Sequence, residues 1–243
     1  MGLVTALISG KGGTGKTTLC AALAGCMAAE GKRVLCVDLD VGLRNLDLAL
    51  GLGQEPVLPF TQASAGFLRL EDLPEHPRIP GLFLLSAPER AEQAELDALD
   101  ALLCRAREQF DEILLDGPAG LGTLFRLGVH CSDRVLLISG ADPASMRDAA
   151  QTAQQLEISG CCEAWLVLNR VQKGYFRRTG QTVDDMMDQV GLPLLGLVPE
   201  DGQVSLAAAR NSALVLFERR GAAPACLRIA RRLDGRRVPL AIT

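Results

Sequence analysis

The sequence is poor in aromatic side chains, in histidine and in long apolar runs. It has one Trp, one Tyr and two His among 243 residues, although 48% of the residues are hydrophobic, so we expect a largely aliphatic core. No uninterrupted apolar run reaches roughly 18 residues, the length at which a segment spans a bilayer, which argues against a transmembrane protein. The first residues already have the pattern of a strand, so we expect no secretory signal.

Patterns that bind metal are also scarce. His76 and His130 are too few for a histidine cluster, and none of the eight cysteines forms a C-x-x-C pair. Most cysteines lie in apolar runs, as Cys36 does, so we interpret them as small buried side chains in the reducing cytoplasm. The net charge of −4 argues against a protein that coats nucleic acid, and we expect no DNA partner.

A glycine-rich stretch carries the first positive signal. It has the pattern G-x-x-x-x-G-K-T and lies between an apolar run at 3–8 and a helix-like run at 19–29. Glycines let successive backbone N–H groups turn toward phosphate oxygens, and the start of a helix adds further N–H groups. Lys16 is the candidate for the outer phosphates of a nucleotide, and the Thr17 hydroxyl is the candidate for Mg²⁺. The candidate loop residues are Gly10, Lys11, Gly12, Gly13, Thr14, Gly15, Lys16, Thr17 and Thr18.

Acidic residues follow two further apolar runs. Asp38 and Asp40 come at the end of the run 34–37, and Asp116 ends the run 113–115. The carboxyl ends of parallel strands meet at one edge of a sheet, where such acids are placed to bind a metal ion or a water. We assign Asp116 to a metal-held water, Asp40 to the attacking water and Asp38 to the metal shell. Loop solvation and helix capping are the alternative for Asp38 and Asp40.

A second group of residues is expected to bind the rest of the nucleotide. It follows the strand-like runs 165–168 and 194–198 and consists of Asn169, Arg170, Pro199, Glu200 and Asp201. Formation of a turn is the alternative role for Asn169. A guanine reader usually carries Asn-Lys-x-Asp at this place, whereas this chain has Asn-Arg-Val-Gln, which favours ATP over GTP.

Strand-like and helix-like runs alternate throughout, which predicts an α/β fold. We expect a single P-loop NTPase domain over residues 1–243, with a mostly parallel twisted sheet and helices on both faces. Residues 51–80 contain several prolines and are predicted to form a surface excursion with one short helix. We also predict a helix over 92–108, a tight turn over 117–120 and a last helix at 225–233. Arginines line one face of that last helix, and we favour its docking on the sheet over its lying on an anionic membrane.

These motifs resemble the MinD/ParA family of deviant Walker A ATPases, and its MinD members in particular. The resemblance covers about residues 3–240. Its main motif is K-G-G-x-G-K-T-[ST] at 11–18, in which Lys11 is the extra lysine of the deviant form. The other matching segments are the acidic stretch 38–47, D-x-P-A-G at 116–120, S-x-R-D-A at 145–149 and V-I-P-E-D at 197–201. Residues 51–80 match the family poorly. The family continues past the equivalent of residues 237–240 into a short membrane-targeting helix, whereas this sequence stops at Thr243, so either the segment was lost or the sequence is truncated. We therefore do not expect stable membrane contact, and peripheral contact with the inner face of the membrane is the alternative.

The resemblance implies a slow ATPase that uses ATP and Mg²⁺ and produces ADP and phosphate. It implies that Lys11 reaches the nucleotide of a facing subunit, so that ATP binding produces a homodimer, with Lys11, Lys16, Asp40 and Asp116 as the catalytic residues. It further implies placement of the cell-division site in the bacterial cytoplasm, with a MinC-like inhibitor and a MinE-like activator as partners. A ParA-like ATPase that partitions DNA or cargo, and an ATPase of metallocluster maturation, are the alternatives from other functional classes.

Overall fold

In the part of the chain that the structure describes, eight strands form one sheet in which every neighbouring pair runs parallel, in the order β3-β4-β2-β5-β1-β6-β7-β8. The computed structural model describes residues 1–161, 163–217 and 220–241. The strands are β1 (Leu3–Ser9), β2 (Val34–Asp38), β3 (Leu58–Pro59), β4 (Leu82–Ser86), β5 (Glu112–Ala119), β6 (Arg134–Ser139), β7 (Ala164–Val171) and β8 (Leu194–Pro199). The predicted parallel α/β fold is confirmed. The extension of the domain over all of residues 1–243 stays a prediction.

Helices cover both faces of this sheet, as the sequence predicted. In chain order they are α1 (Lys16–Ala29), α2 (Leu46–Leu50), α3 (Phe60–Ser64), α4 (Gln93–Asp97), α5 (Leu99–Ala106), α6 (Thr123–His130), α7 (Pro143–Ile158), α8 (Tyr175–Thr179), α9 (Val183–Val190), α10 (Gln203–Ala209), α11 (Leu214–Phe217) and α12 (Ala222–Leu233). One apolar core lies between the sheet and α5, α6, α7 and α9. The other lies between the sheet and α1, α2, α10, α11 and α12. Because both faces are covered, the central strands are buried almost along their whole lengths.

Local sequence signals explain where several helices begin. Asp142 caps α7 by accepting a hydrogen bond from the Ser145 N–H at 3.0 Å, and Pro143 occupies the first helical position, as predicted. Thr182 and Asp185 form a capping box at the start of α9. These caps satisfy backbone groups that have no partner inside the helix.

The structure corrects the predicted helix over 92–108. The helix is interrupted at Ala98, so that α4 and α5 are separate. The buried faces give the reason: Leu99, Leu102 and Leu103 in α5 are buried, whereas Leu96 in α4 is only half-buried. Of the predicted helix, only the part that forms α5 has a continuous apolar face that packs on the core.

The predicted tight turn over 117–120 is also wrong. β5 continues to Ala119, which pairs with Ser9 of β1. Gly117 permits this, because a β-carbon at that position would lie 2.8 Å from the Leu7 carbonyl oxygen. The chain turns instead at Gly120, which has a φ of 84°.

Residues 51–80 contain more structure than the predicted single helix. Besides α3 they hold the 3₁₀ turn Leu70–Asp72 and the edge strand β3, which pairs with β4. With two residues, one of them Pro59, β3 is too short to give an alternating pattern, which is why the sequence did not reveal it.

The last helix docks on the fold, as we favoured from the sequence, but α12 begins at Ala222, three residues earlier than predicted. Pro224 lies in its first turn, where no backbone N–H is needed. Its apolar face, including Cys226, Ile229 and Leu233, is buried in the core. Arg219, which precedes this helix in the sequence, lies outside the described residues. Within the described part of the chain, no helix combines the length and apolarity needed to cross a bilayer.

A network of buried charges fastens α12 at the amino edge of the sheet. The Arg134 guanidinium donates to Glu112 at 2.7 Å, to the Thr5 hydroxyl at 2.7 Å and to the Leu233 carbonyl at 2.9 Å. Lys32 donates to the other oxygen of Glu112 at 2.9 Å. Glu112 and Arg134 are both buried, so each charge depends on its partners.

Most of the described cysteines are buried, as predicted. Cys20, Cys26, Cys36, Cys131 and Cys226 are buried, whereas Cys104 is exposed and Cys161 is half-buried. Cys162 lies outside the described residues. Burial raises the pKa of Cys26 to about 12 and that of Cys131 to about 11, so these thiols stay protonated at neutral pH.

Candidate functional site

The glycine-rich loop connects the end of β1 at Ser9 to the start of α1 at Lys16, in the middle of the sheet. Gly13 and Gly15 adopt left-handed φ values of 77° and 86°, which the tight curl of the loop requires. No side chain caps α1, and its first turn contains no acidic residue. The N–H groups at its start therefore remain available to an anion.

All the helices from α1 to α6 lie in sequence between the loop and α7, yet the loop rests directly on α7. A β-carbon at Gly10 would lie 2.7 Å from the Thr152 hydroxyl and 2.8 Å from the Asp148 carbonyl oxygen. The Ser9 hydroxyl donates to the Lys11 carbonyl at 2.7 Å and so fixes the exit from β1. Glycine is required at position 10 because the backbone and α7 leave no room for a side chain.

Asn169, at the end of β7, supports the loop from the other side. Its Nδ2 donates to the Thr14 carbonyl at 2.8 Å, and its Oδ1 accepts from the Arg170 N–H at 3.0 Å. A β-carbon at Gly15 would lie 2.5 Å from that same Nδ2. The Asn169 side chain is buried and holds the loop in position across the sheet edge.

Below the loop, two aspartates face each other on neighbouring strands. The register of β2 and β5 pairs Asp38 with Asp116, and both are almost completely buried. Asp38 accepts hydrogen bonds from the Asp40 N–H at 2.9 Å and the Leu46 N–H at 3.2 Å. Neither carboxylate oxygen of Asp116 has a hydrogen bond of ordinary geometry with the described residues, although the Thr17 hydroxyl is close enough to lower its pKa.

Burial dominates the electrostatics of this cluster. It raises the pKa of Asp116 to about 7, an effect that Thr17 reduces and the Asp38 charge increases. It raises the pKa of Asp38 to about 6, against the backbone hydrogen bonds from Asp40 and Leu46. Burial also lowers the pKa of Lys16, against the attraction of Asp116 and Asp40. The site thus holds buried charged groups that are not fully neutralised by one another.

These residues fit a hard cation that takes only part of its ligands from the protein. Among the described residues, no group of three or more His, Cys, Asp or Glu side chains is arranged to hold a metal alone. Asp116 nevertheless presents a buried carboxylate that accepts no hydrogen bond of ordinary geometry from the described residues and lies next to the Thr17 hydroxyl. Mg²⁺ is bound in this manner, through one or two protein oxygens together with waters and phosphates of a substrate.

A cavity of about 740 Å³ lies above this cluster. It brings together most of the residues predicted from the sequence: Gly12, Gly13, Gly15, Lys16, Thr17, Thr18, Asp40, Asn169, Arg170, Pro199, Glu200 and Asp201. A smaller cavity of about 370 Å³ beside it is lined by Lys11 and Thr14. Gly10, Asp38 and Asp116 line neither cavity and lie below or behind the loop.

Lys11 does not line the larger cavity, and its side chain lies beside α7. Its ammonium lies 3.8 Å from the Asp148 carboxylate of α7, and both side chains are about 40% exposed. The Lys11 charge also lowers the pKa of Asp142, after the larger effect of hydrogen bonds from Ser145. Sequence reasoning assigned no role to Asp148, although the S-x-R-D-A motif contains it.

The comparisons with known proteins agree with this geometry. A profile of the CobQ/CobB/MinD/ParA nucleotide binding domain matches residues 5–215. The chain belongs to the MinD/ParA family.

Within the MinD/ParA family, the similarity to MinD proteins extends over nearly the whole chain. The septum site-determining protein MinD of Synechocystis sp. is 31% identical, covering 98% of this chain and 92% of that protein. The MinC:MinD cell division protein complex of Aquifex aeolicus contains a chain with a TM-score of 0.90 and 30% identity, with 99% of this chain and 98% of that chain covered. MinD of Pyrococcus horikoshii, solved with Mg-ADP, has a TM-score of 0.81 and 25% identity, with 96% of each chain covered. The sequence-based assignment to this family is confirmed.

The structure adds residues to this MinD/ParA-type site that were not among the predicted site residues. Asn45 and Leu43, from the segment after β2, line the larger cavity, and so do Ala222 and Cys226 of α12. Asn45 belongs to the acidic stretch that carried part of the family resemblance. No local sequence pattern indicates that α12 lines the cavity, because its position there depends on its packing beside α1.

Proposed function

We propose that this protein is an ATP-binding and slowly ATP-hydrolysing switch of the MinD type, which forms a homodimer with ATP and takes part in placing the bacterial cell-division site. The observation that supports it most is the buried carboxylate of Asp116, which lacks ordinary hydrogen-bond donors beside Lys16 and Thr17. A buried carboxylate needs a cation or donors to compensate its lost hydration. A nucleotide with its cation supplies that charge, and membership of a nucleotide-binding family points to this ligand.

Each residue of the cluster has a role in this proposal. Lys16 contacts the β- and γ-phosphates, while loop N–H groups bind the remaining phosphate oxygens. Thr17 and Asp116 would hold Mg²⁺, Asp116 by way of a water, and Asp38 would support them through the hydrogen bonds that it accepts from Asp40 and Leu46. Asp40 lines the cavity and orients the attacking water. When bound, the cation neutralises charge on the phosphates, which phosphoryl transfer requires.

The proposed homodimer depends on Lys11, to which the family resemblance assigns contact with the nucleotide of a facing subunit. In the monomer it pairs with Asp148 of its own chain. In the proposed dimer it leaves this partner and contacts the phosphates bound to the facing subunit. ATP binding then favours association, and hydrolysis to ADP and phosphate reverses it, as in other nucleotide switches.

The partners follow from the relatives. The structure of a MinC:MinD complex from Aquifex aeolicus supports a MinC-like protein as a partner of this chain. A MinE-like activator, and peripheral contact with the inner face of the membrane, stay predictions. We place the protein in the bacterial cytoplasm.

The test combines binding, hydrolysis and association. Purified protein with Mg²⁺ should bind ATP, release phosphate slowly and double its mass by light scattering with ATP but not with ADP. Lys16→Ala should weaken ATP binding about 10- to 100-fold, because charge-assisted contacts to the phosphates are lost. Lys173→Ala, at an exposed position outside the larger cavity, is the matched control and should behave like the wild type. Equal ATP affinity in the wild type and Lys16→Ala would contradict the proposed site.

A further inference from the structure

The wall of the larger cavity at the end of β8, which we call the far wall, is built from two segments that are distant in the chain. The turn after β8, residues 200–202, lines it together with Ala222 and Cys226 of α12. The first turns of α12 are firmly packed, since Ala222 and Cys226 are buried in the core that also contains α1. The cavity wall thus includes the start of a helix that packs beside α1, the helix that begins at Lys16.

The Asp201 carboxylate joins these two segments. One oxygen, Oδ1, accepts a hydrogen bond from the Gln203 N–H at 2.9 Å within the turn. The other, Oδ2, accepts from the Ala222 N–H at 2.9 Å, across 21 residues of sequence. The Ala222 N–H belongs to the first turn of α12 and has no acceptor inside that helix. A carboxylate at this place is also favoured by the helix dipole.

The backbone at Gly221 is shaped around this contact. It has a φ of 63°, and a β-carbon there would lie 2.2 Å from Asp201 Oδ2. Any side chain at position 221 would therefore displace the carboxylate.

Glu200, the neighbour of Asp201, is held differently. Its N–H donates to the Val171 carbonyl at 3.0 Å, which ties the turn to β7. Its exposed side chain lies 3.5 Å from Arg170. The backbone of the turn is thus fixed to the sheet through Glu200 and to α12 through Asp201. The turn follows β8, which β6 and β7 separate from β1 in the sheet, so it lines the cavity away from the phosphate loop and Lys16.

We propose that Asp201 is a positioning residue that holds the nucleoside-side wall of the cavity on the first turn of α12, so that nucleoside binding and the order of that turn are coupled. The inference rests on the proposed function, that this cavity binds ATP. Both Asp201 oxygens already accept backbone hydrogen bonds, so the residue acts through the backbone of its turn and not by direct contact with the base. It differs from Lys16, whose proposed contacts are with phosphate alone.

Comparison of ATP with inorganic tripolyphosphate separates these roles. Both carry phosphate groups, and only ATP carries a nucleoside. With Mg²⁺ present, Asp201→Ala should weaken ATP binding about 10-fold, because two hydrogen bonds to a charged group are lost, and should leave tripolyphosphate binding within about 2-fold of wild type. Asp201→Asn, which keeps one acceptor oxygen, should recover part of the ATP affinity.

Thr182→Ala provides the matched control. It removes a helix cap from α9, away from the cavity, and should lower stability without changing the affinity for either ligand. If Asp201→Ala weakens ATP and tripolyphosphate equally, its effect is on folding and the inference is wrong. If the wild type binds ATP and Asp201→Ala binds it equally well, the inference is wrong while the proposed function stands. If the wild type does not bind ATP, the proposed function fails and the inference with it.

Hydrogen exchange tests the coupling in the unaltered protein, which guards against a variant that does not fold. ATP should slow exchange at the Ala222 and Ala223 amides at least about 5-fold, because bound nucleoside restrains the turn that holds them. Tripolyphosphate should change it less than 2-fold, roughly the effect of the phosphate end alone. Equal protection by the two ligands, or none by either while ATP is bound, would show that Asp201 does not transmit nucleoside binding to α12.

Discussion

Asn169 Nδ2 donates a hydrogen bond to the carbonyl of Thr14 at 2.8 Å, joining residues 155 positions apart in the chain. The bond connects the end of β7 to the glycine-rich loop at the end of β1. It holds the loop in the curled form in which its N–H groups converge, so the loop does not have to be ordered by its ligand alone.

Asn169→Ala should therefore weaken ATP and inorganic tripolyphosphate alike, each by about 10-fold, because the phosphate loop itself becomes mobile. Isothermal titration calorimetry with both ligands measures this. Asn211→Ala is the matched control, since Asn211 makes a comparable long-range bond to the Gly53 N–H at 3.0 Å outside the cavity. A loss confined to ATP would instead indicate that Asn169 serves the base.

Removal of the partner of Lys11 should make the proposed dimer more stable. Asp148→Asn breaks the ion pair that retains Lys11 on its own chain. Since exposed pairs contribute at most about 1 kcal/mol, the dimer dissociation constant with ATP should fall roughly 2- to 5-fold. Analytical ultracentrifugation measures it, with Glu157→Gln on the same helix as the control. The gain should vanish when Lys11→Ala is added, and a gain that persists would show that Asp148 acts independently of Lys11.

The nucleotide-free protein should lose stability as the pH rises through the range set by Asp116. Its pKa is about 7 in the folded chain and near 3.8 when unfolded, so the folded state holds the proton more tightly. This contribution is fully present below about pH 4 and is lost as the pH rises to about 7. Asp116→Asn cannot ionise and should be more stable than the wild type at pH 8 by on the order of 2 kcal/mol.

Urea unfolding of the nucleotide-free wild type and Asp116→Asn at pH 5 and pH 8 measures this difference. A shallower slope should remain in the variant, because the raised pKa of Asp38, about 6, acts in the same direction. Asp188→Asn, at an exposed position, should leave the wild-type pH dependence unchanged. If the Asp116 carboxyl instead made the wild type more stable at pH 8 than at pH 5, the raised pKa of Asp116 would be contradicted.

The charge network at the opposite edge of the sheet should affect stability without affecting the cavity. Glu112→Gln leaves the buried Arg134 guanidinium without its carboxylate and should lower the free energy of unfolding by about 3 kcal/mol. ATP affinity under native conditions should stay within about 2-fold of wild type, because no member of this network lines the cavity. The exposed Glu108 gives the control Glu108→Gln, which should unfold like the wild type.

Local chemistry explains how much of this could be predicted from the sequence. The loop 10–18 and the capping by Asp142 are set by neighbours in the chain, and both were recognisable from residue type and spacing. The acids at strand ends followed from the geometry of parallel sheets, although the pairing of Asp38 with Asp116 depends on register.

What could not be predicted depends on contacts between distant segments. Nothing near Asn169 indicates that its amide reaches Thr14, and nothing near Asp201 indicates that it caps α12. The extension of β5 through Pro118 depends on the close approach to Leu7 that Gly117 allows. Such contacts follow from the packing of the whole chain, and a single sequence carries no local pattern for them.

The place of β1 in the sheet bears on how the chain acquires its cavity during synthesis. β1 leaves the ribosome first, yet its neighbours β5 and β6 extend to residue 139, and the far wall of the cavity contains Ala222. The cavity is therefore incomplete until α12 has emerged and these sequence-distant contacts have formed. Nucleotide can stabilise only the finished fold, so the nascent chain must reach that fold without help from its own ligand.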